Sequence, residues 1–269
     1  MKKIILITGI SSGFGKASAR LLAEAGHTVY GTVRRDCETD KSVNVLRMDL
    51  TDAGSIHEAV EAVISKEGRI DVLINNAGMH TGGPIETLPM EYVRLQMDTN
   101  FIGTVNLTKE VLPYMRRSGG GTIINFSSIG GLLGLPYQGI YSAAKFALEG
   151  FSEALRIEIR NFNIKVIVIN PSDFRTKSSL NRRNFLSPTG SDDPYKKQYE
   201  KTLAGIEKDE TGGLNPVILT KKLLKIVEYK NPRQRYIIAK FLPKLAVALK
   251  HVLPGKLFGR LIGIFHGIY

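Results

Sequence analysis

Short β-branched runs alternate along this chain with longer stretches of helical period, which predicts a parallel sheet covered by helices on both faces. The strand candidates are residues 3–8, 28–33, 43–48, 72–74, 122–126, 165–169 and 235–238. Helices are predicted to begin near Gly13, Asp52, Met90, Ile140 and Pro216, with Thr51 and Asp52 as turn or capping residues. The fold class expected is therefore α/β: one domain with a doubly wound parallel sheet of about seven strands. Between Asn170 and Asn215 the pattern lapses into a polar stretch too long for an ordinary connection, and residues 172–215 are read as a substrate lid.

After the sheet pattern ends near residue 240, Leu242, Leu245, Leu249, Val252 and Leu253 recur at three- and four-residue steps. Leu257, Phe258, Leu261, Ile262 and Phe265 continue the pattern. These are amphipathic helices, read as an extension (241–269) of the domain at 1–240. Charge sharpens that picture. Up to Thr220 the chain holds 26 Lys and Arg against 24 Asp and Glu, whereas from Lys221 onward it holds 11 against 1. Most of the net charge of +12 therefore belongs to the ending. A basic amphipathic ending suits an anionic membrane surface, a cover over a hydrophobic cleft, an oligomer contact, or ordinary packing with solvated lysines. No stretch reaches the ~18 uncharged residues of a membrane span. No aromatic stacking platform or reader motif points to nucleic acid.

Composition narrows the chemistry. A chain of 269 residues with 43% hydrophobic content buries a sizeable core. The single cysteine, Cys37, forms no internal disulfide, and the five histidines lack metal-ligand spacing, so no metal is expected. The apolar run at Ile4–Ile7 is too short for an export signal and reads as a strand. The expected location is cytoplasmic, with peripheral membrane contact left open by the ending.

A glycine-rich turn follows the first strand, running Gly9, Ile10, Ser11, Ser12, Gly13, Phe14 and Gly15 into a helix. Glycines there let the backbone approach a pyrophosphate, whose charge faces the N–H groups and positive dipole end of the helix. The turn is read as a dinucleotide site. An acidic residue about 20 positions on would hold the 2′-hydroxyl of NAD, whereas arginine suits a 2′-phosphate. Here the second strand ends in Arg34 and Arg35, which favours NADP(H). Asp36 follows at once and leaves NAD(H) open.

Tyr141 and Lys145 stand four residues apart at the start of a predicted helix, which places both on one face. A phenol of ordinary pKa near ~10 needs a nearby cation to exchange protons at neutral pH, and an ammonium one turn away supplies it. Ser128, at the carboxyl end of a strand, stands where open parallel sheets hold their ligands.

These segments, together with Asn75-Asn76-Ala77-Gly78 and Asn100, resemble the classical short-chain dehydrogenase/reductase family over nearly all of residues 3–240. The resemblance implies a Rossmann-type fold and hydride transfer between a nicotinamide and a carbonyl or alcohol carbon. It implies that Tyr141 exchanges the proton, Ser128 positions the substrate oxygen, Lys145 holds the nicotinamide ribose and activates the phenol, and Asn100 keeps a water beside the lysine. It also assigns Asp49 to the adenine amino group, Asn76 to the adenosine side and Thr176 to the nicotinamide carboxamide, with Leu50, Ala77, Gly78 and Pro171 as further cofactor-binding residues. Where the family has Pro-Gly after the sixth strand, this chain has Pro171-Ser172.

The likeness is greatest to the branch acting on steroids, retinoids and other lipid alcohols or ketones (17β-hydroxysteroid and retinol dehydrogenase-like). It implies a cleft for a hydrophobic small molecule, with Met79, Leu132, Leu133, Leu135, Tyr137 and Phe174 as candidates to border it. A long-chain amino ketone of the ketosphinganine type is an alternative substrate, and a homo-oligomer is suggested. Readings from other classes are a non-catalytic nucleotide-sensing protein and a peripheral membrane scaffold.

Overall fold

The computed structural model describes residues 1–175 and 193–269. Its centre is a seven-stranded sheet built of β1 (Ile4–Thr8), β2 (Thr28–Val33), β3 (Asn44–Arg47), β4 (Val72–Asn75), β5 (Gly121–Phe126), β6 (Ile164–Pro171) and β7 (Arg235–Ile238). All pairs are parallel, in the order β3-β2-β1-β4-β5-β6-β7. The order reverses between β1 and β4, so a crevice opens there at the carboxyl ends of the strands.

Helices α1 (Gly13–Glu24), α2 (Ala53–Glu67), α3 (Met90–Met97), α4 (Gly103–Arg117) and α5 (Gly139–Glu158) precede β6. Helices α6 (Lys196–Thr211) and α7 (Pro216–Glu228) follow it, and α8 (Phe241–Lys250) and α9 (Gly255–Phe265) come after β7. Asp52 caps α2 as expected, its side chain accepting from the Gly54 and Ser55 N–H groups.

The continuous apolar run of β1 is explained by burial on both faces. Ile5 and Ile7 join one core with Ala19, Leu22, Leu219 and Leu223, while Ile4 and Leu6 join a second with Ile56, Val60, Leu107 and Val111. Each fully buried side chain of this size contributes roughly 1.5–3 kcal/mol. Polar pins cross the second layer. The Asn75 amide donates to Asn125 Oδ1 at 2.8 Å, and the Asn125 amide donates to Ser152 Oγ at 2.9 Å, tying β4 and β5 to α5.

Two elements depart from the sequence reading. The segment between Asn170 and Asn215 is not irregular throughout, because α6 occupies Lys196–Thr211. Its inward positions are Tyr199, Thr202, Ile206 and Glu210, and two polar residues among four hide the apolar period. Between α3 and α4, residues Asp98–Ile102 form a π turn that carries the buried Asn100.

Candidate active site

One cavity of about 1040 Å³ runs along the carboxyl ends of the strands. It is lined at one end by Gly9, Ser11, Ser12, Gly13, Phe14 and Gly15, and by Arg34, Arg35, Asp49 and Leu50. It passes Asn76, Ala77, Gly78, Ser128, Tyr141 and Pro171, and ends among Leu245, Leu249, Phe258, Leu261 and Ile262 of the two last helices. The glycine turn, the two arginines, Ser128 and Tyr141 are thus brought to one cavity, whereas Lys145 and Asn100 do not line it. Met79, Leu133, Leu135 and Phe174 also border the cavity. Leu132 and Tyr137 do not line it: Leu132 joins a small apolar cluster beneath α8, and Tyr137 packs its ring 5.3 Å from that of Tyr199. Thr176 lies outside the described residues.

The glycine turn is shaped as a cradle. A Cβ on Gly15 would lie 2.1 Å from the Gly9 carbonyl oxygen, and one on Gly9, whose φ is +72°, would lie 2.8 Å from Ala77 Cα. Only glycine permits that approach. Ser12 is the N-cap of α1 and makes no side-chain cap bond, so the first N–H groups of the helix are left for a ligand in the cavity. Asn76 shapes this cradle from below: its amide donates to the Thr8 and Gly9 carbonyls at 2.8 and 3.1 Å. Thr8 Oγ1 accepts in turn from the Asn76 and Ala77 N–H groups. Asn76 thus braces the turn and also lines the cavity. These residues fit a dinucleotide: an uncapped helix start would face its phosphates, and no Cβ fills the approach.

At the carboxyl end of β5, Ser128 Oγ accepts from the Gly130 N–H at 3.0 Å, which leaves its own O–H to donate. The Ser128 carbonyl accepts from the Asn170 amide at 2.9 Å, and the same amide donates to Glu149 at 2.6 Å. Glu149 also pairs with Arg235 at 2.9 Å. Tyr141 and Lys145 share the first turns of α5 as expected, with Lys145 Nζ 5.8 Å from the Tyr141 ring centroid. Nζ is buried and donates to the Phe126 carbonyl at 2.7 Å. Burial lowers the Lys145 pKa to about 8, against the opposing pull of Glu149.

Asn100 is fixed in two directions: its Oδ1 accepts from the Met79 N–H and its amide donates to the Met79 carbonyl, both at 2.8 Å. Sequence reasoning missed Glu149, Asn170, Gln96 and His80, whose placement depends on contacts between distant segments.

The chain matches the family model described as short chain dehydrogenase over residues 3–186, more than half its length. It belongs to the short-chain dehydrogenase/reductase family. As a member it is an oxidoreductase that acts on a carbonyl or alcohol carbon with a nicotinamide cofactor, NAD(P)(H). Among its relatives is the 3-ketodihydrosphingosine reductase of Bacteroides thetaiotaomicron, 48% identical over 266 residues, which cover 99% of this chain and 98% of that protein. A short-chain dehydrogenase from Streptomyces avermitilis has a TM-score of 0.78 at 28% identity, covering 94% of this chain and 93% of that one. A serine dehydrogenase complexed with NADP+ has a TM-score of 0.75 at 25% identity, covering 87% and 94%.

Among the described residues no helix is long and apolar enough to cross a membrane, and no group of residues is arranged to hold a metal ion.

Proposed function

We propose that this protein is an NADPH-dependent reductase of a long-chain amino ketone, of the kind named by its 48% identical relative, 3-ketodihydrosphingosine. The observation that carries the reading is the continuity of the cavity. Its one end is a phosphate cradle flanked by Arg34 and Arg35, its middle is Ser128 and Tyr141, and its far wall is the apolar side of α8 and α9. An alkyl chain is held there mainly by buried area. Asp173, Asp209 and Glu210 also line the cavity, and carboxylates suit a substrate with an ammonium group. Asp36 does not line the cavity while both arginines do, which supports NADP(H) over NAD(H).

In this reading the bound nicotinamide supplies the hydride that reaches the carbonyl carbon. Ser128 donates its O–H to the carbonyl oxygen and so fixes the substrate's orientation. Tyr141 gives the proton of its hydroxyl to the same oxygen, completing the alcohol. The Lys145 ammonium stabilises the phenolate that remains and holds the cofactor ribose. Asn100 secures the strand-end segment beside them and keeps the water beside the lysine. Asp49 borders the adenine, and Leu50, Asn76, Ala77, Gly78 and Pro171 line the rest of the dinucleotide's berth. Of the segment read as a lid, residues 176–192 lie outside the described residues, and its described part borders the cavity through Asp173, Phe174, Ile206 and Asp209, as a cover over substrate would.

The outward sides of α8 and α9 expose Phe241, Leu257 and Ile264 among Lys244, Lys256 and Arg260, which suits peripheral contact with the anionic membrane where such a substrate dissolves. Liposome flotation checks that part of the reading, with and without anionic lipid. The activity itself is tested by following NADPH absorbance with 3-ketodihydrosphingosine, a steroid ketone, retinal and a short aliphatic ketone side by side. The sphingoid ketone is expected to give the highest kcat/KM, and a preference for any of the others overturns the assignment.

A further inference from the structure

We infer that His80 is a positioning residue for the proton donor: its imidazole, locked in place by Gln96 and Asn100, holds the Tyr141 phenol at its working angle. The inference rests on the reading of Tyr141 as the proton donor and adds a residue to it. His80 lines the cavity, and its ring stacks on that of Tyr141 with centroids 4.0 Å apart and planes 17° from parallel. A phenol on the first turn of a helix turns about χ1 and χ2, so its hydroxyl points usefully only when its ring is fixed. Gly130 meets another part of the same ring, since a Cβ there would come 3.2 Å from Tyr141 Cε1. His80 and Gly130 thus constrain the ring, and Lys145 stands at its side.

A lone ring on a loop would constrain little, but this loop segment is fastened at the residue on either side of His80. Before it, the Met79 N–H donates to Asn100 Oδ1, and the Met79 carbonyl accepts from the amides of both Asn100 and Gln96, at 2.8 and 2.9 Å. After it, the Thr81 N–H donates to Gln96 Oε1 at 2.7 Å. Gln96 and Asn100 are 0% and 1% exposed, and the π turn at Asp98–Ile102 lies around the second of them. Buried amides with both ends bonded hold a single arrangement, because any other leaves a polar group unsatisfied. The path of restraint runs from α3 and the π turn, through the backbone of Met79 and Thr81, to the imidazole, and from there to the phenol.

The test uses the full chain with NADPH and the ketone that it reduces best. His80→Ala is expected to lower kcat by about 2- to 10-fold, the range that loss of an aromatic pair gives, with the dissociation constant for NADPH unchanged. His80→Phe, which keeps a flat ring, is expected to restore kcat to within about twofold, whereas His80→Leu, which keeps bulk alone, is not. Gln96→Ala should lower kcat in the wild-type background and add little once His80 is alanine, because both act through one path. Wild-type kcat in His80→Ala, equal loss in the Phe and Leu variants, or full additivity with Gln96→Ala overturns the inference. If His80→Ala does not fold, the Phe and Leu pair decides. Inactivity of the wild type towards every ketone, or full activity of Tyr141→Phe, counts instead against the parent reading.

Discussion

The two ends of the cavity are built by different means. At the cofactor end the shape comes from backbone: Gly9 and Gly15 in close approach, Thr8 and Asn76 knitting β1 to β4, and an uncapped helix start. At the substrate end it comes from side chains of α8 and α9, where Leu245, Leu249, Phe258 and Leu261 form the wall. Backbone cradles tolerate no added atom, whereas an apolar wall accepts exchange at a modest cost. In the proposed reading, the first end holds the nicotinamide cofactor and the second selects the substrate.

The two ends meet at Ser128 and Tyr141. Tyr141→Phe should cut turnover by about 10²- to 10⁴-fold, the range for losing a positioned acid, with NADPH affinity by fluorescence left intact. Retained turnover would leave the acid unassigned.

Lys145, in the middle, offers a pH test of its burial. Its pKa is about 8 in the folded chain against an ordinary 10.5, so the charged form is disfavoured by folding. That cost is fully present below pH 8 and is relieved as the pH rises from about 8 to the ordinary value of 10.5. Lys145→Met should therefore be the more stable protein at neutral pH, with its lead in denaturant titrations shrinking by about 3 kcal/mol across that window. A lead that does not change with pH would show that the lysine is not desolvated.

At the cofactor end, Gly15→Ala places a Cβ against the Gly9 carbonyl and should weaken NADPH binding by about 10- to 100-fold. Unchanged affinity would mean the cradle adapts. Arg34→Ala with Arg35→Ala should weaken NADPH by about 10-fold and NADH hardly at all, since the charge-assisted bonds go to the 2′-phosphate. Equal losses for both cofactors would remove the preference for NADP(H). At the substrate end, Phe258→Ala should raise KM for a long-chain ketone by only about 3-fold and leave a short ketone unaffected, the cost of a partly buried apolar contact. Equal effects on both would move the alkyl site elsewhere.

The same contrast explains what was legible in the sequence. The central strands were readable because two-sided burial writes unbroken runs such as Ile4–Thr8, and the cradle because close backbone approach admits only glycine. Tyr141 and Lys145 were readable because one helical turn joins them. The amphipathic ending was visible in its leucine spacing, but that spacing states only that one face is covered. Its contact with the cavity needed coordinates. Helix α6 was hidden because Thr202 and Glu210 stand at inward positions. His80 and Gln96 were hidden because each is ordinary in its own segment, and their meaning lies in contacts across the fold.

In the proposed reaction, hydride from NADPH and a proton from Tyr141 reduce a long-chain amino ketone in this cavity. The direct measurement is a single turnover with NADPH deuterated at the transferable C4 position and 3-ketodihydrosphingosine, with mass spectrometry of the product. One deuterium on the carbon that bears the new hydroxyl is the predicted result, and its absence from that carbon, or no alcohol at all, would contradict the account.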